Sequence, residues 1–270
     1  MDMRIYNEAM VANYSSRTAE ENSAYVLPLL KPDMRILDVG CGPGSITLGL
    51  AAHVPEGSVT GIDANSKAVE TARELCEKRG TTNATFSVGN LNKLPFDDDS
   101  FDVVHAHQVL GHLPGKQDEP GPVWGLKEMR RVCKPGGFVC AREGELLTMV
   151  VYPRIHGLKE SLALIARLAE HAGKTLTGGR GREFARKAGF NPENISASAA
   201  LVTYANAAGR EWWGETMASR LESSSDLKKG VELGFATEEE IAGMPKAWRE
   251  WANNDDAFYS SMDGQIVCMK

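Results

Sequence analysis

The sequence predicts a doubly wound α/β fold, with helices covering both faces of a mostly parallel sheet. Short apolar runs alternate with longer amphipathic segments along the chain, as strands alternate with helices in such folds. The chain has 270 residues, of which 42% are hydrophobic and 24% charged. This composition is typical of a globular protein that buries a sizeable core. We therefore expect one large α/β domain.

Seven strands are expected, and the first five are separated by helices, which favours parallel pairing. The five strands are predicted at 35–40, 58–63, 84–90, 101–110 and 138–143. The helices are predicted at 18–30, 45–54, 66–80, 121–137 and 155–173. Two more strands are predicted at 195–205 and 264–270. We expect the last strand to be antiparallel.

The segment between the last two predicted strands has a helical pattern that is rich in tryptophan. The tryptophans of this segment are Trp212, Trp213, Trp248 and Trp251. We interpret residues 209–260 as an α-helical cap inserted into a single domain that spans 1–270. Residues 1–30 are expected to form an N-terminal lid.

Charge and hydropathy exclude several classes of partner. The formal net charge is −6, whereas nucleic-acid-binding domains are usually basic, so we expect no nucleic acid partner. No run of about 18 apolar residues is present, so no membrane span is expected. The first residues also lack the apolar region of a signal peptide. These features favour a cytoplasmic protein, and they leave its oligomeric state open.

The cysteines do not suggest a metal or redox site. Their number is odd, and no two of them have the Cys-x-x-Cys spacing. They are Cys41, Cys76, Cys133, Cys140 and Cys268. We expect thiols in a reducing compartment. We also find no paired histidines or acids at ligand spacing, so no metal is expected.

The most informative segment is ILDVGCGPGS at 36–45, where a predicted strand runs into three glycines and then a helix. Gly40, Gly42 and Gly44 allow backbone to turn with positive φ or to approach a ligand closely. Asp63 ends the next strand, and a carboxylate there can accept hydrogen bonds from both hydroxyls of a ribose. In open α/β sheets, ligands bind at the carboxyl ends of the strands. The combination therefore predicts a nucleoside-containing ligand.

The glycine spacing separates two cofactor classes. The nicotinamide fingerprint is G-x-G-x-x-G, whereas the last interval here is one residue shorter. A nicotinamide-dependent oxidoreductase thus remains an alternative with less support, since we also find no Tyr-x-x-x-Lys pair. A second alternative is a non-catalytic module that keeps the cofactor pocket, because fold alone does not decide function.

The sequence resembles class I S-adenosylmethionine-dependent methyltransferases, in particular the ubiquinone/menaquinone-biosynthesis-like branch that methylates small molecules. The resemblance covers about 14–143 and rests on several stretches together. These are LDVGCGPG, the strand ending in GID, GNLNKLPFDDDSFDVVHAHQVLGHL and LKEMRRVCKPGGF. It implies a Rossmann-like fold and transfer of a methyl group to a small molecule, with S-adenosylhomocysteine as the second product.

The resemblance also implies a set of cofactor-binding residues. Gly40, Gly42 and Gly44 would pack against the methionine and ribose, with Asp38 near the methionine amino group. Asp63 would take the ribose hydroxyls. Family members usually have Asp after the third strand, where this chain has Asn90, whose carbonyl can still accept from the adenine amine. The remaining implied contacts are Ala64, Asn65 and the Leu91 backbone beside adenine, His107 and Gln108 beside the methionine, and Tyr14 and Arg17 over the cofactor.

Methyl transfer to a hydroxyl or an amine is helped by a general base, and histidine is the usual one. We consider His107 and His112 as candidate bases. The acceptor must meet the methyl group at the open edge of the cofactor, where adaptable or aromatic side chains could line a cavity. The candidate substrate-binding residues are Met149, Tyr152, His156, Trp212, Trp213 and Met217. The acceptor atom itself is not predicted.

Overall fold

The computed structural model describes residues 15–115, 119–172, 178–224 and 226–270. Seven strands in these ranges form one sheet. They are β1 (Arg35–Val39), β2 (Ser58–Asp63), β3 (Ala84–Val88), β4 (Phe101–His107), β5 (Cys133–Tyr152), β6 (Ile195–Tyr204) and β7 (Phe258–Met269). The helices in the same ranges are α1 (Ala19–Asn22), α2 (Ser45–Ala52), α3 (Ser66–Arg79), α4 (Gly121–Val132), α5 (Leu158–His171), α6 (Gly181–Lys187), α7 (Ala207–Ser223), α8 (Asp226–Glu232) and α9 (Glu238–Ala252).

The strand order is β3-β2-β1-β4-β5-β7-β6, with β1 at a crossover point in the middle of the sheet. Strands β1 to β5 pair in parallel, whereas β7 pairs antiparallel with both β5 and β6. The predicted fold class, including the antiparallel last strand, is confirmed. Because β1 to β5 run in the same direction, their carboxyl ends lie along one edge of the sheet.

Alternate strand residues point to opposite faces, and each face has its own core. On the first face, Ile36 and Val103 pack with Leu50 of α2 and Val69 of α3. On the second face, the core includes strand residues Leu37, Val104 and Val139 together with Leu126 of α4 and Phe184 of α6. These two layers fix the sheet between helices.

A third core lies where β5, β6 and β7 extend past the carboxyl edge of the parallel strands. Val151 near the end of β5 and Tyr259 near the start of β7 pair in register. They pack with Leu162 of α5, Met217 of α7 and Trp248 of α9. The helices between β6 and β7 are thus packed over the edge where the parallel strands end.

The predicted helix 18–30 is wrong beyond Asn22. Thr18 does cap α1 by accepting a hydrogen bond from the Glu21 N–H at 3.2 Å. The helix then ends at Ser23, whose hydroxyl lies 2.9 Å from the His105 ring, and only a 3-10 turn follows at Leu27–Leu29. Pro28 has no N–H to continue a helical ladder.

Strand β5 begins earlier and ends later than predicted, and helix α4 is correspondingly shorter. The chain leaves α4 at Val132, and Cys133 already pairs with Phe101. Pro135 disfavours helical backbone at Lys134, so the predicted helix 121–137 cannot extend through this segment. Strand β7 likewise begins at Phe258, earlier than the predicted 264–270. Among the described helices, none combines the length and the hydropathy needed to cross a membrane.

Candidate functional site

The three glycines after β1 all have positive φ, +68° at Gly40, +54° at Gly42 and +83° at Gly44. Their surroundings differ. A Cβ on Gly40 would overlap the Val109 side chain, and one on Gly44 would lie 2.9 Å from Ala72 Cβ. A Cβ on Gly42 would meet no heavy atom within 4 Å. Gly40 and Gly44 therefore let neighbouring elements pack closely, whereas Gly42 faces open space at the turn.

Asp63 at the end of β2 faces this turn. Its Oδ2 accepts a hydrogen bond from the Gly42 N–H at 3.0 Å, and its Oδ1 accepts one from the Asn65 N–H at 2.8 Å. Burial raises the pKa of Asp63, and these two backbone donors oppose the rise. Each carboxylate oxygen can accept a further hydrogen bond, so the group can still bind a ligand hydroxyl.

A chain of buried hydrogen bonds runs behind the glycine turn. Asp38 Oδ2 accepts from the Thr47 hydroxyl at 2.5 Å, and Asp38 Oδ1 lies 2.7 Å from His105 Nδ1. His105 Nε2 lies 2.9 Å from the Ser23 hydroxyl. All four residues are buried. Both Asp38 oxygens are thus bonded to protein, and they join β1 to α2, β4 and the end of α1.

His107 lies two residues farther along β4, on the same face as His105. It is 8% exposed, and its Nδ1 has no hydrogen-bond partner among the described residues. Burial lowers the pKa of His107 well below its usual value, and the positive charge of Arg17 lowers it further. His107 is therefore a neutral imidazole near pH 7, with a ring nitrogen available to a ligand.

Tyr25 is a second residue with a buried polar atom, and it packs against the core on the first face of the sheet. Its hydroxyl is buried and lacks a hydrogen-bond partner among the described residues. Its ring centroid lies 6.5 Å from that of His105. Burial raises the pKa of Tyr25, so the phenol stays protonated and can donate. A buried polar group without a partner is costly, and a bound ligand is one way to satisfy it.

Gln108 follows β4 and adopts a positive φ of 57°, which is uncommon for a residue with a Cβ. Its side chain bridges two strands: Nε2 donates to Asp263 Oδ2 at 3.2 Å, and Oε1 accepts from the Gly144 N–H at 3.2 Å. Asp263 also accepts from Arg142 Nε at 2.9 Å. These contacts fix the backbone direction immediately after His107.

Glu143 of β5 holds the next residues of the loop. Its Oε1 accepts from the backbone N–H groups of Val109 at 2.8 Å and Leu110 at 2.7 Å, and its Oε2 accepts from Gly111 at 3.2 Å. Residues Leu110–His112 form a 3-10 turn, and His112 at its end is exposed. Of the two candidate bases, His107 is therefore the buried one beside the turn.

The predicted adenine contacts are spread over two loops. Asn65 caps α3 through its side chain, which accepts from Lys67 N–H at 2.9 Å, and Ala64 beside it is exposed. Asn90 is exposed and its Oδ1 accepts from the Asn92 N–H at 2.9 Å, whereas the Leu91 side chain lies in the second-face core. These residues follow β2 and β3, whose ends pair at Asp63 and Val88.

The structure groups only some of the predicted substrate residues. Trp213, Met149 and Met217 all belong to the third core, where Met217 is almost completely buried. Trp212 lies beside them, with its ring centroid 5.8 Å from that of Trp213. Tyr152 is exposed, and so is His156, which lies 3.6 Å from Glu160. Tyr152 and His156 therefore present their side chains to solvent.

Two tyrosines that the sequence did not single out complete the aromatic group around Trp213. The Tyr204 ring stacks on Trp213 with centroids 5.0 Å apart and planes 22° apart, and Tyr259 lies 5.0 Å from Trp213. The buried Trp213 Nε1 has no partner among the described residues. The charges of Arg17 and Arg142 act on Tyr204 as well as on His107. The same two charges therefore act on His107 at the end of β4 and on a tyrosine of the aromatic group.

The first predicted lid residue, Tyr14, lies outside the described residues. Arg17 is described, and its charge acts on His107. No group of three His, Cys, Asp or Glu in the described ranges could hold a metal ion. Sequence reasoning missed Ser23, Tyr25, Arg142, Glu143 and Asp263. One signal for them was available, since Arg142 and Glu143 are adjacent charges at the end of an otherwise apolar strand.

The comparisons with known proteins agree with this architecture. Residues 30–192 match the family described as methyltransferase domain. An uncharacterized methyltransferase of Schizosaccharomyces pombe is 37% identical over 94% of this chain and 91% of its own length. A demethylmenaquinone methyltransferase of Staphylococcus aureus is 37% identical over 46% of this chain and 48% of its own length.

A solved structure shows the same fold at low sequence identity. It is phosphoethanolamine N-methyltransferase 2 of Haemonchus contortus in complex with S-adenosyl-L-methionine, with a TM-score of 0.55 and 20% identity. The match covers 92% of this chain and 51% of that protein, so this chain spans about half of that longer relative. The match to the family over more than half of the sequence, together with the near full-length yeast relative, shows that this chain belongs to the methyltransferase-domain family.

Proposed function

We propose that this protein transfers a methyl group from S-adenosylmethionine to a small-molecule acceptor by in-line displacement. The observation that carries the proposal is the pairing of the open turn at Gly42 with the Asp63 carboxylate, in a chain of the methyltransferase-domain family. The turn leaves space for a ligand against backbone, and the carboxylate offers acceptors for a ribose. These are the two features that an adenosyl ligand needs.

The residues around the turn fit such a ligand. Asp63 would accept from the ribose hydroxyls, with Gly40, Gly42 and Gly44 beneath the ribose and methionine. Asn65, Ala64, Asn90 and the Leu91 backbone would surround the adenine. Arg17 would pair with the methionine carboxylate, and the Gln108 backbone would adjoin the methionine. Asp38 would act indirectly, because both of its oxygens already bond to protein.

S-adenosylmethionine supplies a methyl group that is activated by a positively charged sulfur. The protein must align the acceptor with that group and exclude water, and such positioning can contribute about 7–11 kcal/mol. His107 is the residue we assign as proton acceptor. It is buried and neutral, and its Nδ1 is unpaired among the described residues. In the tautomer with the ring proton on Nε2, Nδ1 can take a proton from a hydroxyl or an amine, worth about 10²–10⁴-fold in rate.

The acceptor would be held between the end of β4 and the helices that follow β6. We propose that these helices act as the cap of a single domain and that the N-terminal residues act as its lid. Trp213 and Trp212 would face the acceptor, with Tyr204 and Tyr259 behind them. The relatives are named for phosphoethanolamine and demethylmenaquinone, which are both small molecules. The aromatic lining favours a small acceptor over a macromolecule.

The direct experiment is to incubate the protein with S-adenosylmethionine labelled in its methyl group and a small-molecule cell extract. We expect S-adenosylhomocysteine to form together with a labelled small product, and the Asp63→Ala variant should form neither. Binding of S-adenosylmethionine without turnover in any extract would indicate a non-catalytic module instead. Binding of a nicotinamide dinucleotide in place of S-adenosylmethionine would reject the proposal.

A further inference from the structure

The chain segment Thr18–Val26, called here the N-terminal segment, is tied to the sheet by one buried guanidinium. Arg142 Nη1 donates to the backbone carbonyls of Glu21 at 3.0 Å and Asn22 at 3.2 Å. These carbonyls lie at the end of α1, where helix carbonyls lack partners within the helix. Arg142, a residue of β5, thus supplies hydrogen-bond donors to two backbone carbonyls of the N-terminal segment.

Arg142 is held rigidly for this contact. Its Nε donates to Asp263 Oδ2 at 2.9 Å, and the two side chains are only 3% and 7% exposed. Asp263 also accepts from Gln108. Burying an ion pair costs desolvation free energy, which apolar residues of similar volume would not incur. The pair is therefore better explained by the geometry it imposes than by stability.

A second contact fixes the same segment one residue later. The Ser23 hydroxyl lies 2.9 Å from His105 Nε2, and His105 is in turn bonded to Asp38. The two contacts reach the N-terminal segment from neighbouring strands, Arg142 from β5 and His105 from β4. Together they set the position of this segment relative to the end of β4.

The N-terminal segment and the residue before it supply two groups near the histidines of β4. Arg17 immediately precedes the segment, and its positive charge lowers the pKa of His107. Tyr25 lies within the segment, with its ring centroid 6.5 Å from that of His105. Its hydroxyl has no hydrogen-bond partner among the described residues, and the charges of Arg142, Glu143 and Asp38 act on it. The position of the segment therefore determines where both groups lie.

We propose that Arg142 is a positioning residue for ligand binding, which holds the N-terminal segment so that Tyr25 stays beside His105 and Arg17 stays near the end of β4. The proposal rests on the proposed function, but the anchoring itself does not depend on any ligand. Lysine cannot replace arginine here, because the contact to Asp263 and the contact to two carbonyls come from different nitrogens of one planar fork. The inference therefore concerns the guanidinium and not merely the charge.

The test compares Arg142→Lys with Arg131→Lys. Arg131 is a matched control, since it also joins an acid to a backbone carbonyl, binding Glu128 at 2.7 Å and the Phe96 carbonyl at 2.8 Å, away from the N-terminal segment. Limited trypsin digestion without ligand reports cleavage of the Arg17–Thr18 bond. We expect about fivefold faster cleavage there in Arg142→Lys, well below its unfolding temperature, and no change in Arg131→Lys.

Ligand binding gives the second measurement, with S-adenosylhomocysteine as the probe in calorimetry. We expect its Kd to rise about tenfold in Arg142→Lys and to stay unchanged in Arg131→Lys. Ser23→Ala should also raise the Kd, and the double variant should show less than the sum of the two free-energy changes, because both residues hold one segment. A purely structural role would instead lower the unfolding temperature without selective cleavage at Arg17–Thr18.

Unchanged cleavage in Arg142→Lys, or additive effects with Ser23→Ala, would overturn the inference. If Arg142→Lys does not fold, Asp263→Ala provides the same test, since it removes the acceptor that holds Arg142 Nε and keeps the guanidinium. If the wild-type protein binds no S-adenosylhomocysteine, the proposed function fails. The cleavage experiment then still decides whether Arg142 anchors the segment.

Discussion

The carboxylate of Asp63 accepts a hydrogen bond from the backbone N–H of Gly42 at 3.0 Å. This bond joins the end of β2 to the turn after β1, the two places where sequence reasoning expected a ribose and a backbone cradle. The same carboxylate also orders the start of α3 through the Asn65 N–H. Asp63 thus shapes the turn as well as offering acceptors to a ligand.

The glycines of the turn should respond differently to substitution. Gly42→Ala and Gly40→Ala each introduce a Cβ at positive φ, which costs about 1–2 kcal/mol. Gly40→Ala adds overlap with Val109, so we expect about 1–3 kcal/mol more destabilisation there. Gly42→Ala should instead raise the Kd for S-adenosylhomocysteine by about tenfold, since its Cβ enters the open space. Denaturant unfolding and calorimetry check the two effects, and equal loss of stability in both variants would contradict this view.

The pH dependence of methyl transfer should report the buried state of His107. Burial and then the Arg17 charge lower the pKa of His107 well below 6.5, with His105 and Arg142 acting in the same direction. The base form is thus already present at neutral pH, and kcat/KM should fall only at pH values well below 6.5. Since the unfolded chain binds this proton more readily, stability should also decrease as the pH falls below 6.5.

The fall in kcat/KM at acid pH is called here the acid limb. His107→Gln is expected to remove the acid limb and to lower kcat by about 10²–10⁴-fold. His112→Gln is the matched control, because His112 is exposed at the end of the 3-10 turn, and its profile should resemble the wild type. Rate profiles that extend from neutral pH down to the lowest pH at which the protein stays folded decide whether the fall in rate belongs to His107 or to His112. An acid limb that disappears in His112→Gln, or one that has its midpoint above 6.5, would contradict the assignment of His107.

Glu143 should be important for stability and for the shape of the loop after β4. It accepts hydrogen bonds from three consecutive backbone N–H groups at 109–111. Glu143→Ala leaves these donors without the carboxylate in a buried place, so we expect a loss of about 2–4 kcal/mol in the free energy of unfolding. Glu143→Gln, which keeps one acceptor oxygen, should lose less. Urea unfolding tests this, and a loss below about 0.5 kcal/mol in Glu143→Ala would rule out the role.

Two tryptophans of the third core offer a direct comparison of paired and unpaired indoles. Trp248 Nε1 donates to the Ser161 hydroxyl at 2.9 Å, whereas Trp213 Nε1 is buried without a partner among the described residues. Trp248→Phe breaks a hydrogen bond and leaves a cavity, so we expect a loss of about 1–3 kcal/mol. Trp213→Phe removes a donor that has no partner, and it should cost clearly less. If Trp213→Phe loses more free energy of unfolding than Trp248→Phe, the Trp213 indole mainly stabilises the fold. That result would contradict its proposed contact with the methyl acceptor.

The sequence predicted the parallel half of the fold well because its signals are local. Strands β1 and β2, the glycine turn and helix α3 each have an apolar or capping pattern within a few residues. Helix 18–30 failed because its end depends on a partner far along the chain, His105 at Ser23. The length of β5 also failed, since the pairing of residues 150–152 with the start of β7 cannot be read from either segment alone.

The candidate site divides in the same way. Gly42, Asp63 and His107 lie in motifs that sequence reasoning could find. The Arg142–Asp263 pair joins residues 121 positions apart, and the Tyr204–Trp213–Tyr259 group combines two strands with a helix. Such partners become visible only when the chain is folded. Met217 was expected to contact the substrate because its side chain is large and adaptable, and the structure shows that this side chain is buried in the third core.

The most direct test is calorimetric titration of the wild-type protein and Asp63→Ala with S-adenosylhomocysteine. The variant would lose the proposed contacts between the ribose hydroxyls and the carboxylate, and a loss of about 1.4 kcal/mol already corresponds to a tenfold change in Kd. We predict saturable binding to the wild type and a Kd at least about tenfold higher in Asp63→Ala. No binding to the wild-type protein, or equal affinity in both, would contradict an adenosyl site at Gly42 and Asp63.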